Sequence, residues 1–146
     1  MARTIDSTDA ELASRLRLAV MRLSRRLRQQ ADGEVSPSQI SALSSVDRLG
    51  PLTLGELSAV ERVRPPTMTR IVSGLEEQGL ATREVDPDDR RVARVRLTVA
   101  GQRLLEQSRT RKTAFLASRI RTLPTDDREA LARAAELLER LLETEE

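Results

Sequence analysis

The segment from Gly79 to Gly101 constrains the fold more than any other part of the chain. Its Asp-Pro-Asp-Asp run at 86–89 is a turn signal, because Pro fixes its own φ and Asp side chains accept hydrogen bonds from nearby amides. Residues 92–97 then alternate between apolar and arginine side chains, which is typical of a strand with one buried face. The segment therefore predicts a β-hairpin with Arg90 and Arg91 at its tip, and such an arm suits a polyanion.

A helix-turn-helix pattern precedes this hairpin. The Thr-Leu-Gly-Glu run at 53–56 is a capping box, in which Thr accepts from one free amide and Glu from another, and it predicts a short helix over 54–60. The Pro-Pro pair at 65–66 stands where a second helix begins, because the first amides of a helix lack partners within it. That helix is predicted over 65–78, with Gly79 just past its end.

The second helix of this pair has two chemically different faces. An apolar stripe with helical spacing is expected to face the core, and it consists of Met68, Ile71, Val72 and Leu75. Pro66, Arg70, Ser73 and Glu77 point away from that stripe, with Thr67 and Thr69 on its flanks. The outward face is small, polar and singly basic over its first two turns. It suits a helix lying in a DNA major groove, where Thr can contact a thymine methyl and Arg a guanine edge or a phosphate.

Five motifs together resemble a known family. They are Gly55-Glu56-Leu57, VRPPTMTRIV at 63–72, LEEQGL at 75–80, DPDDRR at 86–91 and LTVAG at 97–101. The chain is similar to MarR-type winged helix-turn-helix transcriptional regulators, and the Asp-x-Arg of the hairpin followed by Leu-Thr-x-x-Gly is fairly specific. The resemblance implies a mainly α fold with a small β-hairpin wing. It also implies a homodimer that binds pseudo-palindromic operator DNA, most often as a repressor. In this family, binding of a small molecule often releases the regulator from its operator.

The regions that flank the winged helix predict a dimerisation module. The whole of 1–146 is expected to form a single domain, with the DNA-binding lobe at 36–100. Residues 8–31 together with 101–144 are expected to form a helical dimerisation lobe. In the last helix of that lobe, apolar residues cover too wide an arc for a helix with one buried side. That surplus argues for a partner chain.

Composition excludes several classes of function. The chain has no Cys and no His, and Phe115 is its only aromatic residue. Thiol redox sensing and Cys-based zinc sites are thereby excluded, a transition-metal site or an enzyme is not expected, and no cofactor is predicted. No apolar run approaches the length of a membrane span, and the N-terminus lacks the apolar core of a signal peptide. We therefore expect a cytoplasmic protein with no membrane partner.

The charge of the chain says little by itself. Net charge is only +2, although 24 of the 25 basic residues are Arg and only Lys112 is Lys. A DNA-binding signal must therefore come from where the arginines lie. The predicted DNA-contacting residues are Arg62, Arg64, Pro65, Thr67, Thr69, Arg70, Ser73, Asp89, Arg90, Arg91 and Arg94.

The hairpin residues have distinct predicted roles. Arg91 is expected to reach a narrow, A·T-rich minor groove, where negative potential is concentrated, and Asp89 to hold it in place by a charge-assisted hydrogen bond. Arg90 and Arg94 are expected to contact phosphates. For Arg94 and Arg96 an equal alternative is pairing with Glu84 and Asp86 across the hairpin.

One departure from the family pattern affects the helix that enters the major groove. Many members have Ser at the position of Arg64 and Arg at the position of Pro65. This chain therefore lacks the Ser N-cap, and a proline stands where those members have a base-contacting arginine. Arg64, one residue earlier, is a candidate to replace that arginine.

The sequence is compatible with two further hypotheses. A winged helix can instead bind a protein or RNA partner, with the hairpin arginines paired to acidic residues. If a small-molecule effector exists, the scarcity of aromatic residues favours an anionic, aliphatic or amphipathic ligand.

Overall fold

The computed structural model describes residues 7–30, 33 and 35–143 of the chain. Within this part the chain forms helices and three short strands, which are joined by short loops. In chain order the elements are α1 Ser7–Gln30, α2 Pro37–Leu49, β1 Leu52–Thr53, α3 Leu54–Glu61, α4 Pro65–Glu77, β2 Ala81–Val85, β3 Ala93–Leu97, α5 Val99–Ile120 and α6 Thr125–Glu143. The predicted class, mainly α with a small β wing, is confirmed.

Two helices begin where local sequence chemistry requires. Before α2, the Ser36 hydroxyl accepts the Gln39 amide at 3.2 Å and the Gln39 side chain accepts the Ser36 amide at 3.0 Å. Before α3, Thr53 and Glu56 make the same reciprocal pair at 3.1 and 3.2 Å. These capping boxes satisfy amides that a helix start would otherwise leave free. They therefore fix the first residues of the helix-turn-helix region.

The three strands form one antiparallel sheet in the order β1-β3-β2. The β2–β3 register places Ala81 opposite Leu97 and Val85 opposite Ala93, so the predicted hairpin is confirmed. β1 adds a third strand, with Leu52 opposite Val95. This addition was not predicted, and it ties the start of α3 to the hairpin.

The end of the hairpin is joined closely to the loop after α4. The Thr98 hydroxyl donates to the Gly79 carbonyl at 2.6 Å and accepts the Gly101 amide at 3.1 Å, so Thr98 caps α5. Gly101 is buried against the backbone of Leu80, and a Cβ at Gly101 would lie 2.0 Å from the Leu80 carbonyl oxygen. Only glycine allows this approach.

The core lies between the helix-turn-helix and the sheet. Leu43 of α2, Leu57 of α3, Met68 and Val72 of α4, and Val95 of β3 are all buried and belong to one apolar cluster. The helical stripe predicted for α4 therefore faces inward, with Ile71 partly buried at its edge. Burial of this cluster fixes which side of α4 remains outside.

The chain divides into two compact units, one ending at Lys112 and the other beginning at Thr113. Neither α1 nor α6 contains a buried residue along its described length. Assignment of 8–31 and 101–144 to one dimerisation lobe stays a prediction, and residues 31 and 144 themselves lie outside the described ranges.

Candidate nucleic-acid interface

All eleven sequence-predicted contact residues lie at the surface or partly exposed. The exposed ones are Arg62, Arg64, Pro65, Thr69, Arg70, Arg90 and Arg91, and the half-buried ones are Thr67, Ser73, Asp89 and Arg94. They belong to two neighbouring parts of the chain, the region around the start of α4 and the β2–β3 hairpin. None of them is buried in the core.

The start of α4 has an unusual cap. Arg64 occupies the N-cap position and makes no side-chain cap bond, as expected from the loss of Ser there. Its carbonyl accepts the amides of Thr67 and Met68 at 3.0 and 3.1 Å, and Pro65 requires no acceptor because it has no N–H. The exposed Arg64 side chain is therefore not occupied in holding the helix.

The outer face of α4 and the residues just before it carry polar and basic groups. The Thr69 hydroxyl donates to the Pro65 carbonyl at 3.0 Å, which orients that side chain on the helix. Within the described ranges, no carboxylate forms an ion pair with Arg62, Arg64 or Arg70. Arginines without internal partners can donate to phosphate oxygens or to base edges.

The far end of α4 is fixed to the sheet. The amides of Gly79 and Leu80 donate to the carbonyls of Glu76 and Leu75, a Schellman ending in which Gly79 has a φ of +72°. Glu76 also forms an ion pair with Arg83 of β2 at 2.7 Å. This contact was not predicted from sequence. It links the helix to the hairpin, so the two predicted contact regions are held together at this end.

The hairpin turn is organised by the carboxylate of Asp86. Its Oδ1 accepts the amides of Asp88 and Asp89 at 2.8 and 3.2 Å, and its Oδ2 accepts Nη1 of Arg94 at 2.6 Å. The Asp86 amide donates to the Val92 carbonyl at 2.8 Å and closes the turn. Asp86 therefore holds both the turn and the side chain that follows it on β3.

Asp89 holds Arg91 as the sequence predicts. Its Oδ1 accepts both the backbone amide and Nε of Arg91 at 3.1 Å, and its Oδ2 accepts Nη2 at 3.3 Å. The Arg91 side chain is nevertheless 90% exposed. A bidentate pair of this kind restricts the guanidinium to few orientations. Arg91 is thus a projecting cation whose direction is set in advance.

The alternative of pairing across the hairpin holds for both β3 arginines. Arg94 pairs with Asp86, and Arg96 pairs with Glu84. Each partner lies diagonally across the two strands, where long side chains still reach one another. A phosphate contact by Arg94 stays a prediction, and it would be made by a guanidinium already shared with a carboxylate.

The pKa values of Asp86 and Asp89 lie below that of an ordinary aspartate. The hydrogen bond from Arg94 and the Asp88 and Asp89 amides lower the pKa of Asp86 from its usual 3.8. The side-chain and then the backbone hydrogen bonds of Arg91 lower the pKa of Asp89. A carboxylate whose pKa is lowered on folding stabilises the fold at pH values above the ordinary aspartate pKa. This stabilisation is lost as the pH falls through the lowered pKa.

We expect Arg94→Ala to raise the pKa of Asp86 towards its ordinary value. The main hydrogen bond to the charged carboxylate is removed, while the bonds that Arg91 makes to Asp89 remain. Carbon-detected NMR titration of the aspartate carboxyls between pH 2 and 6 measures both midpoints. An unmoved Asp86 midpoint, or an Asp89 midpoint that moves equally, would contradict this assignment.

Within 7–30, 33 and 35–143, no group of three or more acidic, His or Cys side chains is placed to hold a metal ion. No helix in the same ranges is both long enough and apolar enough to cross a membrane.

Comparison with known proteins agrees with the fold of this chain. The MarR family model matches residues 35–93. The HTH-type transcriptional regulator ML2140 of Mycobacterium leprae is 42% identical over 137 residues, covering 93% of this chain and 96% of that protein. A MarR family protein from Bacillus stearothermophilus shares the fold with a TM-score of 0.79 and 28% identity, over 94% of this chain and 96% of that chain.

A structure with bound nucleic acid shares the fold as well. A mutant of MepR from S. aureus, bound to an oligodeoxyribonucleotide, matches with a TM-score of 0.70 and 19% identity over 89% of this chain and 97% of that chain. A capped helix-turn-helix followed by a hairpin wing is thus present in this chain, within the residues that the family model matches. The chain belongs to the MarR family of transcriptional regulators.

Proposed function

We propose that the protein binds a pseudo-palindromic DNA operator as a homodimer and represses transcription there. The observation that carries this proposal is Arg91, which is 90% exposed and held by both oxygens of Asp89. A cation that projects from a hairpin in a fixed direction suits the narrow minor groove better than a flexible one, because less conformational freedom is lost on binding. Such a regulator acts on DNA in the cytoplasm.

The predicted contacts divide into two classes. Outward residues of α4 read the major groove, and those assigned to base edges and nearby backbone are Pro65, Thr67, Thr69, Arg70 and Ser73. Arg62, Arg64, Arg90 and Arg94 contact phosphates, and Arg64 is also placed to reach a base edge from the N-cap. Phosphate contacts set orientation and affinity, whereas base contacts set sequence preference.

A second copy of the chain is the proposed partner of the flanking helices. Leu12, Val20 and Leu23 of α1 are exposed, as are Leu131 and Leu137 of α6. Exposed apolar faces of this extent are typical of association surfaces. Two protomers on a two-fold axis would place their α4 helices in major-groove half-sites about 34–36 Å apart, one turn of DNA.

Selection from a random duplex library tests the DNA-binding proposal. The selected sequence should show two related half-sites about one helical turn apart. In fluorescence anisotropy it should bind at least about 1,000-fold more tightly than a scrambled duplex of the same composition. No preference for any duplex would favour a protein or RNA partner instead.

Salt dependence provides the second measurement on the same duplexes. If about eight phosphates are contacted per dimer, one for each of the four arginines of a protomer, counterion release lowers affinity on the order of 10,000-fold between 50 and 200 mM salt. The logarithm of affinity should fall linearly with the logarithm of salt concentration. A flat response would count against arginine–phosphate contacts as the source of binding.

Effector control is proposed for a cavity of about 500 Å³ beside α2. Arg28 and Lys112 line it together with Ile40, Ser41 and Ser44, and Arg28 is oriented by a 2.8 Å bond to the Ser24 hydroxyl. Its volume falls in the usual range for small-molecule sites. Two cations and aliphatic walls suit an anionic amphipathic ligand.

Thermal shift with two ligands of opposite charge tests this preference. Octanoate should raise Tm, because a ligand that binds only the folded protein stabilises it. Octyltrimethylammonium has a similar chain with a cationic head and should not. Stabilisation by this cation, or by an aromatic cation, at lower concentration than octanoate would contradict the assignment.

A further inference from the structure

Glu61 is the last residue of α3, and two hydroxyls of α2 hold its carboxylate. Ser41 Oγ donates to Oε2 at 2.7 Å and Ser45 Oγ donates to Oε1 at 2.5 Å. Ser41 and Ser45 are one helical turn apart, so they face the same side of α2. Each carboxylate oxygen has its own donor. These three residues are named the serine–glutamate clamp.

Local helix chemistry does not favour an acidic residue at this place. The C-terminal end of a helix carries partial negative charge, which repels a carboxylate. In the part of the chain that the structure describes, no arginine or lysine pairs with Glu61. A residue that is unfavourable in its own helix indicates a role outside that helix. Within the described part of the chain, the carboxylate of Glu61 forms its hydrogen bonds with α2.

The chain turns towards α4 directly after the clamp. Arg62 has a φ of +53°, in the left-handed region, and its amide donates to the Ala59 carbonyl at 3.3 Å. The Val63 amide donates to the Ser58 carbonyl at 3.1 Å. α4 begins at Pro65, three residues after Arg62. With so short a connection, the direction of the first turn of α4 depends on where α3 ends.

Apolar packing alone specifies the direction of the first turn of α4 only loosely. Leu43, Leu57 and Met68 join α2, α3 and α4 in the core, and apolar burial has no directional preference. Hydrogen bonds do have one, because they weaken steeply when donor and acceptor are misaligned. Ser45 is only 6% exposed, so its bond to Glu61 competes with little water.

We propose that Ser41, Ser45 and Glu61 are positioning residues for DNA recognition. They hold the end of α3 against α2, so that α4 presents Arg64 and Thr67 to the major groove at a set angle. This inference rests on the DNA-binding function proposed above. Without the clamp the first turn of α4 shifts. Contacts with base edges then weaken more than the attraction between arginines and phosphates, which acts on any duplex.

The double substitution Ser41→Ala/Ser45→Ala tests the clamp on the selected and scrambled duplexes. The ratio of the two affinities should fall at least about tenfold, because the loss of one hydrogen bond to a charged group is worth about that factor and the variant removes two. Affinity for the scrambled duplex should stay within about twofold, because the arginines that meet phosphates are unchanged. Ser38→Ala, an exposed position on the same helix, is the matched control and should keep the ratio.

Two substitutions of Glu61 separate positioning from general stability. Glu61→Gln can retain both contacts, since its amide oxygen accepts from one serine and its amide nitrogen donates to the other. It should rescue the ratio to near the wild-type value, whereas Glu61→Ala should behave like the double serine variant. An unchanged ratio in the double variant, or equal loss on both duplexes, overturns the proposal.

Hydrogen exchange gives a measurement that needs no DNA. The amides of Arg62 and Val63 should exchange at least about tenfold faster in the double serine variant, because their bonds to the end of α3 open more often. Unchanged exchange at these two amides would also overturn the proposal. A wild-type protein that prefers no duplex would refute the proposed function instead, and the exchange result would still decide whether the clamp holds the turn.

Discussion

Arg91→Ala should weaken binding to the selected operator by about 1–3 kcal/mol per protomer, if a minor-groove contact is worth as much as a base contact. The guanidinium projects from the wing, and Asp89 already holds it in one direction. Alanine removes the cation without touching the core, because the side chain is almost fully exposed. Anisotropy titration at fixed salt measures the loss, and the salt slope should become shallower by about one per protomer.

Two variants make this result specific to the wing. Arg128→Ala, at an exposed position of α6 that is not among the predicted contact residues, makes the same change in charge and should leave affinity within about twofold. Asp89→Asn keeps the arginine but weakens its positioning, so it should lose less affinity than Arg91→Ala. Equal affinity of Arg91→Ala and wild type would refute the wing contact. Equal losses for Arg91→Ala and Arg128→Ala would refute its specificity.

Gly101→Ala should lower the free energy of unfolding by about 3 kcal/mol, at the upper end of the cost of overpacking a core. The added methyl would lie 2.0 Å from the Leu80 carbonyl oxygen and 3.0 Å from its carbon. These are backbone atoms, so no rotamer change can move them aside. The same carbonyl accepts the Thr98 amide at 3.1 Å, so a shift of Leu80 would strain a second contact. Urea unfolding measures the effect.

Gly55→Ala is the matched control for that experiment. Gly55 is exposed on α3, and a Cβ there would meet only the Thr53 hydroxyl at 3.9 Å. Alanine is the better helix former, so this variant should be about 0.5–1 kcal/mol more stable than wild type. If the Gly101→Ala protein were as stable as the Gly55→Ala protein, the backbone at Leu80 would be able to move away from the added methyl at no cost in stability, which would contradict this prediction.

Local sequence chemistry predicts much of this fold. The capping boxes at Ser36 and Thr53 and the glycine after α4 depend on residues within a few positions of one another, so their patterns are visible in the chain itself. β1 has only two residues and no periodicity, and its partner β3 lies some forty positions away. Its existence depends on tertiary pairing.

The same distinction applies to the candidate site. The bond between Asp89 and Arg91 spans two positions, and the spacing of these residues already predicts it. Glu61 receives donors 20 and 16 positions earlier, and Asp47 pairs with Arg109 at a separation of 62. Nothing in the sequence around Glu61 names a partner. Its unfavourable place at a helix end was the available signal, and it indicates a partner without identifying one.

The cavity beside α2 has one property that follows from its single lysine. Lys112 is the only primary amine carried by a side chain, since every other basic residue of the chain is Arg. Apart from the α-amino group, an amine-selective reagent therefore has one place to react, on the wall of that cavity. A bound ligand would shield it, so the extent of labelling, read by intact mass, reports occupancy without any mutation or attached dye.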